Sequence, residues 1–136
     1  MKVIIDTNLW ISFLIGKRLT VLKFLFTNSN LTFFVCNELL EEIQRISSKQ
    51  KIRKYVSEND IIDTFRLINV FCKNVVIDTK AISPIRDIKD LYLLSLADTV
   101  EADYILTGDN DLLSLQLHNR TKILTYNEFV KIIANG

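Results

Sequence analysis

Five carboxylates stand where they could do chemistry: Asp6 in "KVIIDTN", Glu42 in "ELLEEI", Asp90 in "RDIKDLY", and the pair Asp109 and Asp111 in "LTGDNDLLSL". Other reactive side chains are scarce. The 136 residues include one histidine, His118, so a His-rich zinc site is excluded and a Ser-His-Asp triad would depend on that residue alone. The three glycines, Gly16, Gly108 and Gly136, make neither a G-x-G-x-x-G nor a G-x-x-x-x-G-K-[ST] loop, which removes the usual phosphate cradles. What remains is hard oxygen.

Carboxylates act together only if the fold collects them. Five nearly continuous apolar runs read as strands covered on both faces: 2–5 (KVII), 31–36 (LTFFVC), 74–77 (NVVI), 103–107 (DYILT) and 122–125 (KILT). Helical patterns lie between them. Thr7 or Asn8 can cap "LWISFLI", Asn37 can cap "ELLEEIQRI", and Ser57/Asp60 and Thr125/Glu128 have capping-box spacing. Strands alternating with helices require crossover connections. They imply an α/β fold, a three-layer α/β/α sandwich with a central parallel, Rossmann-like sheet of about five strands. With 49% apolar residues and no repeat or linker, the chain reads as a single domain over 1–136. The single proline, Pro84, falls in a short loop. No run is long enough to span a membrane, the acid at position 6 predicts that no signal peptide precedes the domain, and Cys36 and Cys72 read as reduced, mostly buried thiols of a cytoplasmic protein.

In such a sheet, function gathers beyond the carboxyl ends of the strands. Asp6 directly follows the first strand, and Asp109 and Asp111 follow the fourth. On the second main helix, Leu39, Leu40, Ile43 and Ile46 form the buried stripe. At 100° per residue Glu41 points away from that stripe, while Glu42 falls on its flank, free to lean towards the crevice or to pair with Arg45. Asp90 shares a row with residues 94 and 97, at the first turn of its helix, where Asp87 is the more natural cap. Asp98 and Asp103 read as structural. Asp109 and Asp111 on their own read as a turn residue and a helix cap, Gly108 letting the backbone turn. An EF-hand loop is excluded, because Leu113, Ser114 and Arg120 occupy its fifth, sixth and twelfth positions.

Together the acids need a different account. Like charges gathered at one sheet edge raise one another's pKa and destabilise the fold unless a cation neutralises them. With oxygen donors alone, the expected ion is Mg²⁺ or Mn²⁺, which suits phosphate-ester hydrolysis by activated water.

The blocks "IIDTNLWISFL", "CNELLEEI", "RDIKDLYLLSLA" and "ADYILTGDNDLL", in this order and covering essentially the whole chain, resemble a PIN-domain ribonuclease. They are most similar to the VapC-like toxins of prokaryotic toxin–antitoxin pairs. The resemblance implies a PIN-like fold and a Mg²⁺- or Mn²⁺-dependent endoribonuclease with Asp6, Glu42, Asp90 and Asp109 as its four catalytic acids. Asp6, Asp90, Asp109 and Asp111 would hold the metal, while Asn8 and Thr107 would hydrogen-bond carboxylates or metal-bound water. It also implies a small antitoxin protein as partner and a habit of dimerising, for which exposed members of the set around Trp10, Phe13 and Phe24 are candidates. One departure is visible: Ile88 and Lys89 stand where relatives carry a more acidic, proline-containing loop.

RNA needs positive charge beside the acids. The net charge is only +1, so the basic surface must be local. "RISSKQKIRK" supplies Arg45, Lys49, Lys51, Arg53 and Lys54 directly after Glu42, and Lys17 and Arg18 could extend the patch. Two other readings compete. A receiver- or phosphatase-like domain would use Asp78 of "NVVIDTK" as a phosphate acceptor, although its usual acid pair is missing. A non-catalytic PIN-like scaffold would leave the acids idle.

Overall fold

The computed structural model describes residues 1–83 and 88–135. Pro84 and Asp87, expected in a loop and as a helix cap, lie outside the described residues. The elements are β1 (Lys2–Ile5), α1 (Thr7–Ile15), α2 (Leu19–Phe26), β2 (Thr32–Val35), α3 (Asn37–Ser47), α4 (Gln50–Arg53) and α5 (Glu58–Phe71). They continue with β3 (Cys72–Asn74), α6 (Ile88–Val100), β4 (Tyr104–Leu106), α7 (Asn110–Leu115), β5 (Leu117–His118), β6 (Thr121–Leu124) and α8 (Tyr126–Asn135).

The strands form one six-stranded sheet in the order β3-β2-β1-β4-β6-β5, parallel except for the β5–β6 pair. Helices flank it, giving the expected three-layer α/β/α arrangement. The inner strands read correctly because they are buried on both faces: Val3, Ile4, Phe33, Val35, Ile105 and Leu106 are each at most 2% exposed. From β1 the chain winds outward through β2 and β3, then crosses back to β4 on the other side of β1. The carboxyl ends of β1 and β4 are therefore the switch point, where neighbouring crossovers diverge and leave a crevice.

Several expectations need correction. The third strand is Cys72–Asn74, not 74–77; Val75 to Asp78 run on without a strand. Lys73 and Asn74 are exposed, as an edge strand allows, so this strand lacks an apolar run in the sequence. Asp78 is exposed and does not follow a strand, which removes the setting a receiver-like acceptor requires. The sixth strand, β5, is two residues long and turns back through Asn119, whose φ of 52° suits asparagine better than most residues. Neither Thr7, Asn8 nor Asn37 caps a helix. The caps of α1 and α3 are Asp6 and Cys36, without side-chain bonds, and the Asn37 amide oxygen instead accepts from Asn74 Nδ2 at 3.2 Å.

Both predicted capping boxes form. Ser57 Oγ accepts from Asp60 N at 3.1 Å while Asp60 Oδ2 accepts from Ser57 N at 3.0 Å, and Thr125 and Glu128 repeat the exchange. Trp10 and Phe13 belong to the core, whereas Phe24 is 79% exposed. Cys36 and Cys72 are free thiols, pushed up to about 11 and about 12 by burial, as inert structural cysteines should be. Among the described residues no helix is long and apolar enough to cross a membrane.

Two substitutions separate the cost of the sheet core from that of a cap. Ile105→Ala, in a fully buried strand, should lower unfolding stability by about 3 kcal/mol, and Ser57→Ala by about 1 kcal/mol. Urea denaturation monitored by the buried Trp10 measures both.

Candidate active site

Asp6 is the residue after β1, and its placement follows from the sheet. Its backbone N–H bonds to Leu106 O at 2.9 Å, fastening it to the end of β4. Its carboxylate is 4% exposed, and Oδ2 accepts from Thr107 Oγ1 at 2.7 Å. Thr107 is itself fully buried, and its own N–H is held by Leu124 O of β6. The same hydroxyl oxygen accepts from Asp109 N at 3.0 Å. One threonine thus joins the acid that follows β1 to the acid that follows β4.

Burial pushes the Asp6 carboxyl up from 3.8 to about 6. The hydrogen bonds from Thr107 and the Thr7 backbone pull it back down, while the negative charges of Glu42 and Asp109 push it further up. Two acids from other elements, Glu42 of α3 and Asp109 beyond β4, therefore act on Asp6.

Asp109, not Asp111, caps α7. Its Oδ1 accepts from Asp111 N at 2.9 Å, the bond a cap residue makes two positions into a helix. Asp111 is exposed in the first turn. Gly108 has no positive φ, and a Cβ there would meet nothing within 4 Å, so the turn does not require glycine. Asp90 lies half-buried in the first turn of α6, at the end of that helix nearest the crevice.

Glu42 is half-buried and Glu41 exposed, as their angular positions on α3 predicted. Glu42 makes no ion pair with Arg45 among the described residues. Its neighbour is Tyr92 on α6, whose hydroxyl lies 3.5 Å from Glu42 Oε1 and 3.3 Å from Thr7 Oγ1. Burial holds that hydroxyl well above its ordinary range, so it is a neutral donor. Sequence reasoning missed Thr7 and Tyr92. In "DTN" Thr7 reads as a cap, and the helical pattern registers only the apolar ring of Tyr92. Asn8 is exposed and hydrogen-bonds none of the carboxylates among the described residues.

A cleft of about 530 Å³ opens beside Glu42, lined by Glu38, Glu41, Glu42, Arg45 and Tyr92. Arg45, Lys49, Lys51, Arg53 and Lys54 are all exposed along the end of α3 and through α4. Among the described residues, Arg53 alone of these five forms an ion pair, with Glu58 at 4.0 Å. Lys17 and Arg18 are engaged elsewhere. Lys17 pairs with Asp60, and the Arg18 guanidinium lies 5.4 Å and 5.5 Å from the ring centres of Phe13 and Tyr126.

His118 takes no part in the crevice. It pairs with Thr121 at the amino end of β6, the opposite sheet edge, and its Nε2 lies 3.1 Å from Asp98 Oδ2. Asp98 also accepts from Asn119, and Asp103 accepts from Lys2 N and Arg120, so both acids are structural as expected. Among the described residues no three His, Cys, Asp or Glu side chains close into a metal cage. The donor chemistry nonetheless fits a hard divalent cation: oxygen atoms alone, with Asp6 burdened by the charges of Glu42 and Asp109.

The Asp6 shift has a consequence for stability. The folded carboxyl holds its proton more tightly than the unfolded chain does, so its contribution is complete below the unfolded value of 3.8 and is lost as pH rises through about 6. In protein free of divalent cation, Asp6→Asn should therefore unfold at higher urea than the wild type at about pH 8, by up to about 3 kcal/mol. The gain should vanish at about pH 3.5, where both side chains are neutral.

A PIN domain model matches residues 2–111 of the chain. No curated protein sequence matches it. Among solved structures, the PIN domain of T. brucei RRP44 aligns with a TM-score of 0.52 and 12% identity, over 98% of this chain and 80% of that chain. At that identity the likeness is one of fold, and it extends beyond the matched residues through β6 and α8. With Asp6 and Asp109 joined through Thr107 at the switch point and the model spanning both, the chain belongs to the PIN-domain family.

Proposed function

We propose that this chain is a Mg²⁺- or Mn²⁺-dependent endoribonuclease that hydrolyses RNA phosphodiesters, and that it is the toxin of a cytoplasmic toxin–antitoxin pair, acting as a single domain over 1–136. The observation that carries the reading is Asp6: a buried carboxylate at the switch point whose ionised form is opposed by burial, by Glu42 and by Asp109. Such a site is relieved by a bound cation. PIN domains are generally nucleases, which agrees with this reading.

In this reading Asp6, Asp90 and Asp109 hold the cation, and Asp111 and Glu42 stand at its margin. Bound Mg²⁺ or Mn²⁺ supplies Lewis acidity to the scissile phosphate and the attacking water. Thr107 keeps one Asp6 oxygen occupied, so the other is aimed by the same bond. Arg45 leads from the cleft to Lys49, Lys51, Arg53 and Lys54, a path for the phosphates of an RNA strand. For the antitoxin we propose the groove between α2 and α5. It has a volume of about 490 Å³ and is lined by Leu19, Lys23, Leu67, Val70 and Phe71, with Phe24 exposed close by on α2. A second copy of the chain is the other occupant implied by the family resemblance.

One observation favours a non-catalytic scaffold instead: the acids do not close into a cage of three among the described residues. Calorimetry separates the two readings, since a scaffold takes up no Mn²⁺ that Asp6→Asn abolishes. Cleavage of RNA in Mn²⁺ tests the activity. Asp6→Asn should lose at least about a hundredfold, Glu42→Gln should lose activity, and Glu41→Gln should match the wild type. Equal cleavage by wild type and Asp6→Asn overturns the assignment.

A further inference from the structure

The carboxylate of Glu42 stands near a like charge, that of Asp6, which drives it away. Its charge raises the pKa of Asp6, so the repulsion is mutual, and its side chain has rotamers that would swing it into solvent. Among the described residues, the one hydrogen bond to the Glu42 carboxylate comes from Tyr92. The Tyr92 hydroxyl is anchored in turn. Its single proton is committed to Glu42, so at 3.3 Å its oxygen accepts from Thr7 Oγ1, a hydroxyl 1% exposed in the first turn of α1 and adjacent in sequence to Asp6. The tyrosine ring packs against the core, which fixes where the hydroxyl stands. Thr7, Tyr92 and Glu42 thus form a chain of contacts from the Asp6 turn through α6 to α3.

We propose that Tyr92 is a positioning residue that holds Glu42 towards Asp6, with Thr7 orienting the tyrosine hydroxyl; as a role in catalysis this rests on the ribonuclease reading above. The 3.5 Å separation is long for a hydroxyl–carboxylate bond, as such bonds often are before substrate draws the groups together. Tyr92 acts on the turnover step through Glu42.

Tyr92→Phe keeps the ring and removes the hydroxyl. With the purified chain and RNA in Mn²⁺, it should lower kcat by about tenfold at unchanged KM, with only a small loss of thermal stability and the chain still folded at the assay temperature. In a Glu42→Gln background the same substitution should have no further effect, because the group it positions is already altered. Thr7→Val should reproduce part of the loss, and Thr7→Ser should restore it. Independently of any activity, the carboxyl ¹³C resonance of Glu42 should move in Tyr92→Phe. An unmoved Glu42 resonance overturns the proposal, and so does a loss of kcat that is the same in both backgrounds or a rise in KM at constant kcat. If the wild type cleaves no RNA, the ribonuclease reading fails and the Glu42 resonance still decides whether Tyr92 holds that carboxylate.

Discussion

The hydrogen bond from Thr107 to Asp6 joins the two segments on which the crevice depends. It links residues 101 positions apart, and both partners are buried, so it exists only if β1 and β4 lie side by side in the correct register. A slip of one residue would turn Asp6 to the wrong face and leave a buried carboxylate without a donor, at a cost comparable to much of a small domain's stability. Sheet register and site assembly are therefore one constraint. The parallel pairing of Ile5 with Leu106 that buries the core also delivers Asp6 to Thr107 and, through the same hydroxyl, to the backbone of Asp109.

Around that bond the molecule trades stability for charge. A leucine at position 6 would suit the burial better than an acid whose ionised form opposes folding near neutral pH. The sequence accepts this cost at the crevice and recovers stability elsewhere, through two capping boxes and a core with aromatic contacts such as Phe26 against Phe33 and Phe71. The same pattern, strain at the crevice and regularity elsewhere, is expected of proteins that bind at a strand end.

Most of the fold was legible because the inner strands are buried on both faces and read as unbroken apolar runs. The third and fifth strands were not. At the edges of the sheet a strand has one neighbour and exposed faces, so Cys72–Asn74 carries a lysine and an asparagine, while Leu117–His118 is too short to show a period. Among the site residues, Glu42 could be preferred over Glu41 because a helix repeats by angle, and exposure separates the two as that angle requires. That Asp109 and not Asp111 caps α7 turns on one hydrogen bond, from Asp111 N to Asp109 Oδ1, which composition does not reveal. Tyr92 escaped for a deeper reason. Its partners Thr7 and Glu42 lie 85 and 50 positions away, and only the packing of α6 against α1 and α3 gives its hydroxyl a meaning.

The short strands at both margins of the sheet also govern how this molecule can meet others. β3 offers three residues and β5 two, and the hairpin turn closes off the second margin. An incoming chain that tried to add a strand would find too little ladder to hold it, which protects the sheet from zippering into fibres. Association with another protein is thereby diverted to the helical faces, where recognition is written in side-chain shape and not in main-chain pairing.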